Sequence, residues 1–147
     1  MSYEQLEQAG YIKKVRFRRR HIQNYLRAAV RDLETARHNL GQSNDWAFAI
    51  AYNAVLQACL ALMLLEGYRT AGAGHHKTTF RFAKLVLGEE YEAEIEFLDQ
   101  MRLKRSRVVY GVPGLISRYE AEQALEIATG FVSALKDRIE QELERRR

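Results

Sequence analysis

At 147 residues, 47% of them hydrophobic and 29% charged, the chain is long enough for one domain that buries its own core without metals or disulfides. Its single cysteine, Cys59, excludes an intramolecular disulfide and points to a reducing, cytoplasmic compartment. The net charge of +4 is unevenly spread: six of the eight residues 13–20 are basic, Arg102, Lys104, Arg105 and Arg107 form a second group, and the sequence closes on Arg145-Arg146-Arg147. Such patches favour polyanionic partners, although a basic run is also the mark of a solvated surface.

Residues 1–20 read as a basic N-terminal segment with one short turn of helix around Leu6, and residues 21–147 as a helical domain. No apolar core follows the N-terminal charges, so no signal peptide is expected. The first long helix is predicted over about residues 21–40, with Ile22, Leu26, Val30 and Leu33 on one side and Gly41 closing it. Residues 46–65 carry no charged side chain over twenty positions, which is long enough to raise the question of a membrane span. Asn53 and Gln57 fall mid-span, alanine is frequent, and the chain that follows is amphipathic. We therefore read this stretch as the central helix of a soluble bundle, with no membrane involved. Ser43, Asn44 and Asp45 are its N-cap candidates, and Gly67 suits its end.

Three glycines between Gly67 and His76 mark a turned or flexible loop. A short helix over about residues 78–87 stops at Gly88, and Glu89 and Glu90 open the next helix, where acids complement the dipole. In that helix Tyr91, Ile95, Leu98 and Val109 share one narrow stripe at roughly 100° per residue, and Arg102 and Arg105 fall on the same stripe. A guanidinium in an apolar stripe needs a carboxylate from a facing helix, a bound anion, or a snorkelling path to water. The helix ends at Tyr110-Gly111 near the one proline, Pro113, so these charges gather where the chain turns, at a candidate cleft wall. Ser117 and Glu120 fit a capping box. Beyond them Ala121, Ala124, Leu125, Ala128, Val132, Leu135 and Ile139 recur at three- and four-residue steps. No alternating strand pattern is visible. The fold expected is all-α, an antiparallel up-and-down bundle of four long helices plus one short helix.

The paired His75 and His76 would diverge by roughly 100° on a helix, with no cysteine or carboxylate nearby at zinc spacing, so no metal is expected. Gly72 and Gly74 lack the preceding strand and the Lys-Ser/Thr ending of a P-loop, and no cofactor is expected either. Cys59, inside the apolar helix, reads as a small core residue.

In their order, several segments together resemble the HEPN domain. They are Ala29-Val30-Arg31-Asp32-Leu33-Glu34-Thr35-Ala36, Ala51-Tyr52-Asn53-Ala54, Ala61-Leu62-Met63-Leu64-Leu65-Glu66-Gly67-Tyr68, the Gly74-His75 step, and Arg105-Ser106-Arg107-Val108-Val109-Tyr110. The resemblance spans about residues 22–132. It implies a helical bundle that commonly forms homodimers, often accompanies a small nucleotidyltransferase in toxin–antitoxin pairs, and includes metal-independent ribonucleases. It also implies a nucleotide or RNA connection.

The ribonuclease members carry an arginine, four to six intervening residues and a histidine. Arg105 matches the arginine, but after four residues Tyr110 stands where the histidine would be, and no histidine follows His76. A phenol with a pKa of about 10 does not exchange protons at neutral pH as an imidazole near about 6.5 does. Tyr110 can still position a phosphate or stack on a base. The family's histidine at the Gly74-His75 step implies that His75 or His76 orients the loop or touches the cleft. The expectation is thus a dimeric nucleotide- or RNA-phosphate-binding domain acting through Arg105, with Arg102 and Tyr110, beside a partner protein. Two alternatives stay open: a non-catalytic interaction module for a nucleotidyltransferase, and a ribonuclease drawing its acid/base group from His75 or His76.

Overall fold

The computed structural model describes residues 2–146 and places them in six α-helices. These are α1 (Tyr3–Gln8), α2 (Arg19–Asn39), α3 (Asn44–Leu65), α4 (His75–Leu87), α5 (Glu92–Tyr110) and α6 (Arg118–Arg145), with a single 3-10 turn, Glu89–Tyr91, leading into α5. The all-α bundle of four long helices and a short one is present.

Helix α3 is the axis of the bundle. It is buried nearly all round, from Ala47 to Leu65, against α2, α6, α4 and α5. By length and apolarity it could cross a membrane, yet 72% of its most apolar window is buried inside the domain, as expected of a helix that is hydrophobic on every side. Ser43 caps it by accepting from the Trp46 amide at 3.3 Å. The Asp45 carboxylate accepts from the amides of Gly114 (2.7 Å) and Ile116 (3.0 Å). That clamp fixes the loop after α5 to the start of α3. Helix α6 begins with the predicted Ser117–Glu120 capping box, and Ala121, Ala124, Leu125, Ala128, Val132, Leu135 and Ile139 are all buried.

Some positions depart from the sequence reading. Val30 is 44% exposed, and Ala29 takes its place in the core between Leu26 and Leu33. Asn53 and Gln57, the two amide side chains within the uncharged run of α3, both donate to one oxygen of Asp32 at 2.9 and 2.7 Å, while Arg31 covers the other oxygen at 3.1 Å. Asp32, nearly buried, therefore locks α2 to α3 with no stranded amide.

Two short strands also correct the expectation of none. Strand β1 (Ile12–Lys14) pairs antiparallel with β2 (Tyr68–Thr70), setting Ile12 opposite Thr70, Lys13 opposite Arg69 and Lys14 opposite Tyr68. Three residues are too few for alternation to register in a sequence. What specifies this ribbon is tertiary: Leu6, Ile12, Met63 and Phe82 form a second small core, with Tyr3 stacked on Phe82 at 4.7 Å. The N-terminal segment thus packs against the α3–α4 corner.

Candidate anion-binding cleft

Helix α4 starts at His75, three residues earlier than predicted, so His75 and His76 lie in its first turn rather than in the loop. Its N-cap is Gly74, which at φ 70 adopts a left-handed conformation and offers no side-chain oxygen; no acid occupies the first turn. The leading amides of α4 and the positive end of its dipole therefore meet no protein acceptor from the cap. Across from them stand Arg102 and Arg105 of α5. Gly74, His75, His76, Lys77, Arg102, Leu103, Arg105 and Ser106 line a cleft of about 370 Å³.

Arg105 is the unusual member. Its Nε is buried without a hydrogen-bond partner, and it forms no ion pair among the described residues. Its guanidinium carbon lies 5.8 Å from the centre of the Tyr52 ring, within cation–π range. Arg102 differs: its Nε donates to Asp99 on the same helix at 2.8 Å, so one face of its charge is already answered. Lys104 is committed to Glu120 of α6. Arg107 is exposed.

Tyr52 joins the cleft to the core. Its ring is fully buried in α3, and its hydroxyl lies 2.9 Å from His76 Nδ1. Burial drives the phenol pKa well above its ordinary 10, so it remains protonated. With Tyr52 donating, the neutral imidazole carries its proton on Nε2. The pKa of His76 is lowered from 6.5, first by burial and then by Arg105, Arg102 and His75. His75 turns the other way, its Nδ1 3.2 Å from Thr70 Oγ1.

Of the sequence-predicted residues, the fold brings His75, His76, Arg102 and Arg105 together. Tyr110 stands apart, 80% exposed at the end of α5 and outside the cleft lining. The sequence reading does not reach Tyr52 and Lys77 as members of the site. Tyr52 carries one signal: a phenol in the middle of a long uncharged run must find a partner for its hydroxyl.

Larger hollows mix their charges. One of about 680 Å³ between α2 and α6 sets Arg19, Arg27, Arg31 and Lys136 among Glu140 and Glu144. Another of about 630 Å³ beside α4 sets Arg81 and Lys84 against Glu89 and Glu92. Of the three, the α4–α5 cleft alone carries charge of one sign. Among the described residues no group of three or more His, Cys, Asp or Glu side chains is arranged to hold a metal.

Fold and cleft together define a helical bundle with a cationic pocket at the mouth of a short helix. The HEPN domain profile matches residues 22–139, and the chain belongs to the HEPN family. It is also similar to the crystal structure of TT1696 from Thermus thermophilus, with a TM-score of 0.59 and 22% identity over 80% of this chain and 97% of that one. At that identity the likeness concerns the fold. No curated protein matches the chain.

Proposed function

We propose that this HEPN domain binds nucleotide or RNA phosphate in the α4–α5 cleft, as a homodimer beside a partner protein. The observation that carries the reading is Arg105, a guanidinium with no carboxylate partner among the described residues, facing a helix N-terminus that has neither cap oxygen nor acid. An anion placed there meets the dipole, the leading amides and the guanidinium fork at once. Arg102 and Lys77 add charge at the rim. A small nucleotidyltransferase is the partner class that family membership favours.

A second reading is supported by His76. It lines the same cleft as Arg105, and its lowered pKa leaves the ring neutral at pH 7; accepting a proton then requires Nδ1 to release the Tyr52 hydroxyl or the tautomer to exchange. In a metal-independent ribonuclease it would take the acid/base role that Tyr110 cannot fill. The two readings separate in one set of assays on the purified protein. Salt-dependent binding of RNA or nucleotide without turnover supports the binding domain. RNA cleavage in EDTA that disappears in His76→Ala supports the nuclease. A stable dimer that neither binds nor cleaves leaves an interaction module for the partner.

A further inference from the structure

The β1–β2 ribbon sets Lys13 directly opposite Arg69. Like charges facing each other across an antiparallel pair repel and weaken it, so a ribbon of three residue pairs is a poor place for them unless something else neutralises both. Nothing in the domain does: both side chains are exposed, and neither forms an ion pair among the described residues. Their direction is fixed by the pleat. Ile12 is 2% exposed in the second core and Tyr68 packs beside it, so the alternate positions, Lys13 and Arg69, turn outward together. Lys14, opposite Tyr68 at the ribbon's end, is exposed as well.

The cleft meets the ribbon at its end, on the face of the pleat opposite to Lys13 and Arg69. The ribbon's last residue, Thr70, holds His75 of the cleft through its hydroxyl at 3.2 Å. The link between them is tight: a Cβ on Gly72, which has φ 71, would lie 2.9 Å from the Gly10 carbonyl oxygen, and the Ala71 amide donates to Tyr11 at 2.8 Å. Ribbon and helix mouth therefore form one corner, with cations on both sides of it.

We infer that the ribbon is a second phosphate subsite and that the ligand is a single-stranded polynucleotide rather than a mononucleotide, with one phosphate at Arg105 and neighbouring phosphates on Lys13 and Arg69. This rests on the cleft reading. A strand that turns the corner relieves the cross-strand repulsion, and a lone nucleotide held at Arg105 does not require the ribbon at all. The backbone contacts are sequence-independent, so affinity should follow chain length and salt rather than base identity.

The test compares wild type with the double variant Lys13→Gln/Arg69→Gln, using fluorescence anisotropy with a labelled 12-nucleotide oligo-U and calorimetry with UMP. For a single strand each lost phosphate contact reduces the slope of log K against log salt by about 0.7. The double variant should therefore lose about 1.4 of that slope with oligo-U and bind UMP as wild type does. Its melting temperature should equal or exceed that of wild type, because the repulsion is gone. An unchanged oligo-U slope, or oligo-U that binds wild type no tighter than UMP, overturns the ribbon subsite while leaving the cleft in place. If Arg105→Lys leaves both ligands unaffected, the cleft reading falls and the ribbon inference with it. Equal competition by heparin and by unlabelled oligo-U would also overturn the inference, by showing a general polyanion surface.

Discussion

The Tyr52 hydroxyl and His76 Nδ1 lie 2.9 Å apart, and through that contact the most buried helix of the domain sets the orientation of an imidazole in its most cationic cleft. The ring is hemmed by Arg105, Arg102 and His75 and pressed by burial, so it gives up its proton more readily than a free histidine.

The first prediction concerns pH. A histidine whose folded pKa is depressed below about 6.5 leaves the folded state holding fewer protons than the unfolded one. The stability it contributes is present above the unfolded pKa and is lost as pH falls through the folded value. An anion in the cleft favours the charged ring and raises that pKa. Without ligand, the melting temperature should fall as pH drops below about 6.5. With phosphate or UMP the fall should shrink, and ligand affinity should rise over the same interval. His76→Asn should flatten both effects. A wild-type profile that the variant reproduces would assign the dependence to other groups. Tyr52→Phe should cost about 1 kcal/mol, and it should move the His76 titration seen by NMR.

The second prediction separates architecture from site. Asp32 takes hydrogen bonds from Asn53 and Gln57, and removing it strands two amides in the α2–α3 seam. Asp32→Ala should destabilise the domain by roughly 2–3 kcal/mol in urea melts, with phosphate affinity unchanged where the protein stays folded. A loss of affinity at constant fold would mean that the seam and the cleft are coupled.

Signals that are local to the chain are legible in the sequence. Ser117 and Glu120 announce the start of α6 by their own hydrogen bonds, and the uncharged run of α3 announces its burial. The start of α4 is hidden because its cap is Gly74, a residue that stops a helix on paper and begins one here through its left-handed φ. The two strands are hidden because Ile12 and Tyr68 are placed by a small core assembled from parts of the chain as far apart as Leu6 and Phe82. Val30 and Ala29 both suit the face of α2, and packing against α3 decides between them. In the cleft, the arginines show themselves by interrupting an apolar stripe. Which of them keeps a free fork depends on Asp99, one turn away, and on Tyr52, on another helix far back in the chain.

The third prediction is a homodimer. Trp46, Tyr119, Tyr110 and Val112 are 56%, 71%, 80% and 57% exposed, and the Asp45 clamp draws their segments to one end of the bundle. Exposed aromatic and apolar side chains gathered in this way suit a self-complementary face. Light scattering should give about twice the 17.1 kDa chain mass. Trp46→Asp should return the protein to a monomer with its helical spectrum intact. A wild-type monomer at micromolar concentration would remove this face from the account.

The last prediction bears on Arg105 itself. If its guanidinium were half of a buried ion pair, removing it would strand a carboxylate and cost about 3–5 kcal/mol. Among the described residues it has no such carboxylate; it lies over the Tyr52 ring with its Nε unanswered. Arg105→Ala should therefore cost no more than about 1 kcal/mol, the range of a half-exposed cation–π contact, and the loss of an unsatisfied buried donor works in the opposite direction. Binding should respond differently. A charge-assisted hydrogen bond to phosphate is worth about 1.5–3 kcal/mol, so Arg105→Ala should weaken oligo-U and UMP by roughly ten- to a hundredfold. Arg105→Lys keeps the charge but not the bidentate fork, and it should recover only part of the loss. Arg107→Ala, on the exposed face of the same helix, should change neither quantity. Thermal melts and titrations on these three variants give two independent readings each. A large drop in stability with unchanged affinity would make Arg105 a structural residue and empty the cleft of its function.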